Sequence, residues 1–398
     1  MDEANERELW EASTEGDIEK VKELLQHKDI NVNWGDEEYD RSSFYRACGH
    51  GRTEIVELLL NDPRVDVNKS MRRGEYMATP FYIACQVGHI DIIKMLLKDP
   101  RIDVNEGNDN QATPLFIACE NGHYDVVELL LGDTRVQVNQ PTNIQVVPFL
   151  IACEGGYGDI VKLMMSDPRV DINRASDQGW TPLMIVCQEK FVTLAQLLLQ
   201  DPRISSSLNS MTERFVTAFY LACQSGNYEI VKLMLNDKRI DYTRSTVDGY
   251  SPFFVACLEG HSKVVELLLS NPNINVNAKT NDGRTPIWQA TYNSDLDIVK
   301  LILAKAEKVD IQSKWDVVNL TALGQAKFFS VAGQREWERT DQEVQLRKQY
   351  SKQIAQILEM YESFPEQTKF ELGKEFDYLS KFFFFFFFFF EKIDIQNQ

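Results

Sequence analysis

One pattern of apolar and polar positions recurs along the chain, and its cleanest copy is Ala112 to Asn139, ATPLFIACENGHYDVVELLLGDTRVQVN. Thr113-Pro114 opens a helix, because proline at a first helical position sacrifices no needed donor and already holds the helical φ. Leu115, Ala118 and Cys119 share one helical face, with Phe116 and Ile117 beside it, and Asn121-Gly122 stops the helix at a residue that tolerates left-handed φ. The spacing predicts a second helix from about Tyr124 to Leu131, with Val126, Val127, Leu129, Leu130 and Leu131 as its apolar stripe. Neither helix can bury its stripe alone. A helix pair that needs a neighbour, copied at fixed period, predicts a solenoid.

The copies are in register. Thr79, Thr113, Val147, Thr181, Thr217, Ser251 and Thr285 each stand one residue before proline, or before alanine at Ala218, at spacings of 34, 34, 34, 36, 34 and 34 residues. Ser42 holds the same place without its proline, and Glu8 to Gly16 is a copy lacking its hairpin strand, which gives nine helix pairs by Ala304. Short β-type segments such as Val65-Asp66-Val67-Asn68 and Ile274-Asn275-Val276-Asn277 are expected to lead into turns, with Asp248-Gly249 and Asp282-Gly283 as turn signals.

Over residues 5 to 304 the chain resembles the ankyrin repeat family, whose motif is T-P-L-H-x-A, a Gly-His turn and an I/V-V-x-L-L-L helix. The resemblance implies an all-α repeat solenoid with short β-hairpin fingers, about nine helix pairs and a C-terminal helical cap. Repeats fall near 5–41, 42–78, 79–112, 113–146, 147–180, 181–216, 217–250, 251–284 and 285–304. The family's motif histidine is replaced by Tyr45, Tyr82, Phe116, Leu150, Met184, Tyr220, Phe254 and Trp288, so apolar packing is expected at that place. Asp62-Pro63, Asp99-Pro100, Asp167-Pro168 and Asp201-Pro202 replace the glycine after the second helix, which they end because proline disfavours α geometry at the residue before it. Lys190 stands where Gly88, Gly122, Gly156, Gly226 and Gly260 turn between helices, and the next hairpin is longer, so 187–217 is the expected irregular joint.

Chemistry-bearing residues do not gather. The seven cysteines, Cys48, Cys85, Cys119, Cys153, Cys187, Cys223 and Cys257, each follow a helix alanine in successive repeats, and neighbours roughly 10 Å apart exceed the Cα separation a disulfide permits. They read as a column of small buried residues. His89, His123 and His261 are turn residues, with His50 one place earlier and His27 at the end of the first outer helix; equivalent positions on adjacent repeats cannot converge on one metal ion. No G-x-S-x-G, H-E-x-x-H or phosphate-binding G-x-x-x-x-G-K-[ST] occurs, so no enzyme activity and no cofactor are expected.

Charge then narrows the partner. The formal net charge is −18, of which residues 305–398 carry −2 and the repeats −16. Nucleic acid would call for the opposite sign, and small molecules are not expected as ligands. A protein with a basic segment fits, while solubility of a long stack is the alternative use of the charge. The acidic start has no apolar core of a signal peptide, and no run approaches a membrane span. A soluble cytoplasmic protein is expected, with the nucleus left open.

The family implies that the positions after each cysteine face a concave groove. They read Gln86, Glu120, Glu154, Gln188-Glu189, Gln224 and Glu259, a polar and partly acidic ladder. The hairpin tips vary between copies while the core letters hardly change: Trp34, Tyr39 and Arg41; Arg72, Arg73 and Tyr76; Asn110 and Gln111; Trp180; Arg214 and Phe215; Tyr250; Arg284. Tryptophan, tyrosine and arginine often anchor interfaces. Each aromatic has the alternative of covering its own hairpin, and for Trp180 and Tyr250 the two readings stand level.

Beyond the repeats, Leu320 to Ala326 resembles the repeat opening, its turn is swollen by Val331 to Asp341, and a charged helix is expected from about Gln342 to Tyr361 with Tyr350, Ile354, Ile357, Leu358 and Tyr361 on one face. Residues 305–362 read as a degenerate capping repeat, with the insertion as an alternative partner loop. In the low-complexity tail, 363–398, Phe382 to Phe390 is a phenylalanine run, either a mononucleotide-repeat tract or a peripheral membrane tether, too short to cross a bilayer. The expected function is a protein-binding scaffold or adaptor, or else a regulatory or inhibitory subunit that occludes a partner's site.

Overall fold

A computed structural model describes residues 3–73, 76–332 and 340–374. The chain divides between Ser207 and Leu208 into two compact units, a boundary inside the stretch expected to be irregular. The Phe382–Phe390 run and most of the 331–341 insertion lie outside the described residues.

Unit 1 is six helix pairs among its described residues. They are α1 (Glu3–Glu15) with α2 (Ile18–Leu25), α3 (Ser43–Gly49) with α4 (Thr53–Leu60), and α5 (Pro80–Val87) with α6 (Ile90–Leu96). There follow α7 (Pro114–Glu120) with α8 (Tyr124–Gly132), α9 (Pro148–Glu154) with α10 (Gly158–Ser166), and α11 (Pro182–Gln188) with α12 (Val192–Gln200). Unit 2 holds α13 (Ala218–Ser225) with α14 (Tyr228–Leu235), α15 (Pro252–Leu258) with α16 (Ser262–Leu269), α17 (Pro286–Asn293) with α18 (Leu296–Lys305), and α19 (Ala322–Val331) with α20 (Asp341–Ser363). In each unit first helices pack on first helices and second on second, so every stripe is covered by its neighbours.

The starts are written in hydroxyls. Ser42, Thr79, Thr113, Thr181, Thr217, Ser251, Thr285 and Thr321 each accept a hydrogen bond from the backbone N–H three residues on, satisfying a donor that the helix itself leaves bare. Lys190 takes the left-handed turn at φ 66°, where Gly156 has 69°.

The expected apolar packing at the motif-histidine position holds, since Tyr45, Tyr82, Phe116, Leu150, Met184, Tyr220, Phe254 and Trp288 are all buried. The larger rings also find polar partners: Tyr82 Oη meets Asn108 Nδ2 at 3.3 Å, and Trp288 Nε1 donates to the Leu320 carbonyl at 2.8 Å. All seven cysteine sulfurs are buried and none is in a disulfide; burial pushes the thiols of Cys48, Cys85, Cys119, Cys153, Cys187 and Cys257 upward. His89, His123 and His261 each set Nε2 against a carbonyl of the preceding pair, those of Gly49, Gln86 and Gln224, at 3.2, 2.9 and 2.8 Å.

The β-type segments differ from expectation. Val65 to Asn68 and Ile274 to Asn277 run as turns, because the bond to the next repeat is made by a side chain in place of a strand ladder. Asn68 donates to the Arg101 carbonyl and accepts from Asp103 N–H, and Asn33, Asn105 and Asn139 do the same in the repeat before and the two repeats after. Asn209 and Asn277 repeat the device in unit 2.

Among the described residues the fingers include two regular hairpins, β1 (Met71–Arg73) with β2 (Tyr76–Ala78) and β3 (Lys314–Trp315) with β4 (Leu320–Thr321). Others close on turn bonds without a strand pair, as Thr142 N–H to Val146 O and Ser176 N–H to Trp180 O.

A second seam lies behind the second helices. In Asp62-Pro63-Arg64 the guanidinium grips its own aspartate at 2.6 Å and reaches back to the Leu25 carbonyl at 2.9 Å. Arg101, Arg135, Arg169 and Arg203 grip Asp99, Asp133, Asp167 and Asp201, and reach the carbonyls of Leu60, Leu97, Leu131 and Met165. These carbonyls end the preceding second helix, where a positive charge is favoured. Asp133-Thr134-Arg135 does this without proline, so the carboxylate and arginine, rather than the proline, are the common element.

At the end of unit 2, α19 packs on α17 and α20 packs on α18, the contacts of a further helix pair. Thr340 and Glu343 form a reciprocal capping box that starts α20, whose buried side chains are Val344, Arg347, Ser351, Ile354, Ala355, Leu358 and Tyr361. Tyr350 and Ile357 are only half-buried.

Candidate partner-binding surface

In each unit the last residues of the first helices share one exposed edge. Glu120 and Glu154 end α7 and α9, and Gln188 and Glu189 end α11, all exposed; in unit 2 Gln224 and Glu259 are exposed at the equivalent ends. Burial, and then the charge of Glu154, raise the Glu120 carboxyl above its ordinary value. Neither makes an ion pair with a described residue. Gln188 Nε2 donates to Glu189 at 3.1 Å. In unit 2, burial and then Glu259 push the Tyr220 hydroxyl up to about 12. Glu259 also lines a cleft of about 640 Å³ with Asp295, Asp297, Glu343, Leu346 and Tyr350.

The finger residues divide by whether the fold already uses them. Arg41 is spent locally: it grips Asp36 at 2.6 Å, lies 4.4 Å from the Tyr39 ring centre, and receives Trp10 Nε1 on its carbonyl at 2.8 Å. Arg284 is spent between fingers, on Asp282 at 2.9 Å, Tyr250 Oη at 2.8 Å and Gln289 at 3.0 Å, while lying over the Trp315 ring. Tyr250 in turn packs on Phe254 with ring centres 5.0 Å apart. Trp34 and Trp180 are half-buried.

Arg72, Asn110, Gln111, Arg214 and Phe215 stay exposed. The side chains of Arg73 and Tyr76 lie outside the described residues. Adjacent fingers are joined through main chain: Arg72 N–H to Tyr39 O, Asn143 N–H to Asn110 O and Asp177 N–H to Ile144 O in unit 1, then Val247 N–H to Arg214 O and Asn281 N–H to Asp248 O in unit 2. Sequence reasoning passed over Ile144, exposed by 60%, and Val247, exposed by 41%, although each is an apolar residue at a turn tip.

Phe215 stands out. It holds φ at +60° and is 49% exposed, in the tip position that Gly249 and Gly283 fill at +81° and +88° in the next two fingers. A bulky side chain there carries backbone strain of about 1–3 kcal/mol.

Among the described residues no group of histidine, cysteine, aspartate or glutamate is arranged to hold a metal ion, and no helix is long and apolar enough to cross a membrane. No curated protein sequence matches the chain. The family model described as ankyrin repeats in three copies matches residues 70–142, 149–246 and 219–314, more than half of the chain. Such repeats generally mediate protein–protein interactions and are typically non-catalytic. With those matches on helix pairs that stack first on first and second on second, the chain belongs to the ankyrin repeat family.

Proposed function

We propose that the protein is a scaffold or adaptor that binds a partner protein through the first-helix edge and finger tips, and that the partner presents a basic segment to Glu120 and Glu154. The observation that carries this reading is the Glu120–Glu154 pair: two exposed carboxylates without basic partners among the described residues, with the charge of Glu154 near enough to raise the Glu120 carboxyl. A lysine or arginine laid between them relieves that repulsion and meets charge of opposite sign. In unit 1 Arg72 and Gln111 supply the exposed rim and Arg41 holds its own finger in place; in unit 2 Phe215 is the exposed tip, and Tyr250 and Arg284 hold the fingers.

The test is co-purification of intact protein against a Glu120→Gln, Glu154→Gln variant whose circular dichroism matches the parent. Partners retained by the parent, lost by the variant and cross-linked to the α7–α9 edge through a basic segment support the reading. Identical partner sets from both proteins overturn it. A retained partner that remains active and binds a second protein at once marks a scaffold; one that loses activity marks an inhibitor.

A further inference from the structure

The charge pattern reverses in the second helix pair. At the position after the buried cysteine, where Glu120 and Glu154 stand, α3 has Gly49; three residues earlier, where Ile83, Ile117 and Ile151 stand, it has Arg46. Beside Gly49 and Ile83 lies a pocket of about 330 Å³, lined also by Tyr39, Arg41, Tyr45, Arg46, His50 and Met71.

Its cations are crowded and only partly neutralised. Arg41 pairs with Asp36, whose charge also reaches Arg46, but among the described residues Arg46 forms no direct ion pair: its Nε donates to Thr14 Oγ1 at 3.1 Å and its guanidinium lies 4.8 Å from the Trp10 ring centre. Among the described residues Arg52 likewise lacks an ion pair and donates to the Thr14 carbonyl at 3.0 Å. In a chain with 60 carboxylates against 42 lysines and arginines, two neighbouring arginines without one are against expectation. Burial and then Arg41 lower the Arg46 pKa; burial and then Arg46, Arg52, Arg41 and His89 lower that of His50. The pocket therefore holds excess positive potential inside aromatic and apolar walls.

We propose that this pocket binds an anionic side chain of a protein segment, a carboxylate or phosphate group carried on an apolar or aromatic stem. The guanidinium of Arg46 takes the anion through donors left over from Thr14, and Arg41 adds attraction. Tyr39, Tyr45 and Met71 cover the stem. The site has the opposite sign to the Glu120–Glu154 edge and does not depend on what binds there.

Small probes test it on the full-length chain. Ligand-observed NMR titrations with phenyl phosphate and phenylacetate should show saturable binding that weakens with added salt. Arg46→Gln should weaken it about tenfold or more, the loss of one charged hydrogen-bond donor set. Arg46→Lys should retain part of it. Gly49→Glu keeps the arginine and sits on a helix, where an added Cβ meets only Ile83, at 3.2 Å; it should place a carboxylate in the pocket and abolish binding even if Arg46→Gln does not fold. The tighter of the two probes identifies the anion as phosphate or carboxylate. Failure of both to saturate, or unchanged affinity in Arg46→Gln and Gly49→Glu, overturns the proposal.

Discussion

Asn68 donates through Nδ2 to the carbonyl of Arg101 at 2.7 Å, and the same side chain accepts the N–H of Asp103 at 3.0 Å. One amide thus satisfies two main-chain groups of the next repeat, which is why the loop after each second helix needs no strand ladder. Asn68→Ala removes both bonds and should cost about 1–2 kcal/mol, since water replaces only part of each. Urea unfolding followed by circular dichroism measures it. An unchanged midpoint would show that the bridge contributes nothing net.

The device is absent at one place in unit 2. Thr243 occupies the asparagine position and turns its hydroxyl onto Asp241, while Asn271-Pro272-Asn273 replaces the Asp-Pro-Arg clamp. Between the loops after α14 and α16, the described contact left in their place is Asn273 Nδ2 to Tyr242 Oη at 3.2 Å. Asn271 Oδ1 already accepts from Asn273 N–H at 3.0 Å, the geometry in which Asp99 accepts from Arg101 at 2.9 Å. Thr243→Asn with Asn271→Asp and Asn273→Arg should therefore fit without rearrangement and add about 1–2 kcal/mol. Amide hydrogen exchange around α14 and α16 should slow in the triple variant. Equal exchange and an equal urea midpoint would contradict the assignment of a weak seam.

Much of this was legible in the letters and part of it was not. Helix starts could be read because one hydroxyl before proline sets a local conformation, and the buried positions because a 34-residue period leaves one solution for the stripes. The asparagine bridges and the arginine clamps were equally periodic, as V-x-V-N or I-x-V-N and as D-x-R, yet a polar residue in a loop has no direction until its neighbour is placed. Arg41 and Arg284 show the same limit: as letters they match Arg72, and only packing separates those consumed by Asp36 and Asp282 from the one left exposed.

The clamps predict an acid response of definite sign. Hydrogen bonds from Arg64, Arg101, Arg135, Arg169, Arg203 and Arg239 hold the carboxyls of Asp62, Asp99, Asp133, Asp167, Asp201 and Asp237 below the ordinary 3.8. A carboxyl depressed on folding contributes stability above its unfolded value and loses it as pH falls through the folded one. Stability should thus decline as pH drops below about 3.8. Arg101→Gln with Arg135→Gln should flatten that decline and lower the neutral-pH midpoint. A parallel pH profile for parent and variant would sink the clamp as its source.

Phe215 sets stability against binding. Replacing it by glycine frees the left-handed φ of +60° that its neighbours meet with Gly249 and Gly283. Because the ring is 49% exposed, little apolar burial is lost. Phe215→Gly should raise stability by about 1 kcal/mol. If the exposed ring is an anchor, the same change should weaken partner binding about tenfold, the effect of losing a modest aromatic contact. Phe215→Ala separates the two effects, because alanine removes the ring but keeps the Cβ that strains the left-handed backbone, so it should weaken binding without the gain in stability. Destabilisation by both changes would mean that the ring supports its own finger, and undiminished binding by both would remove Phe215 from the binding surface.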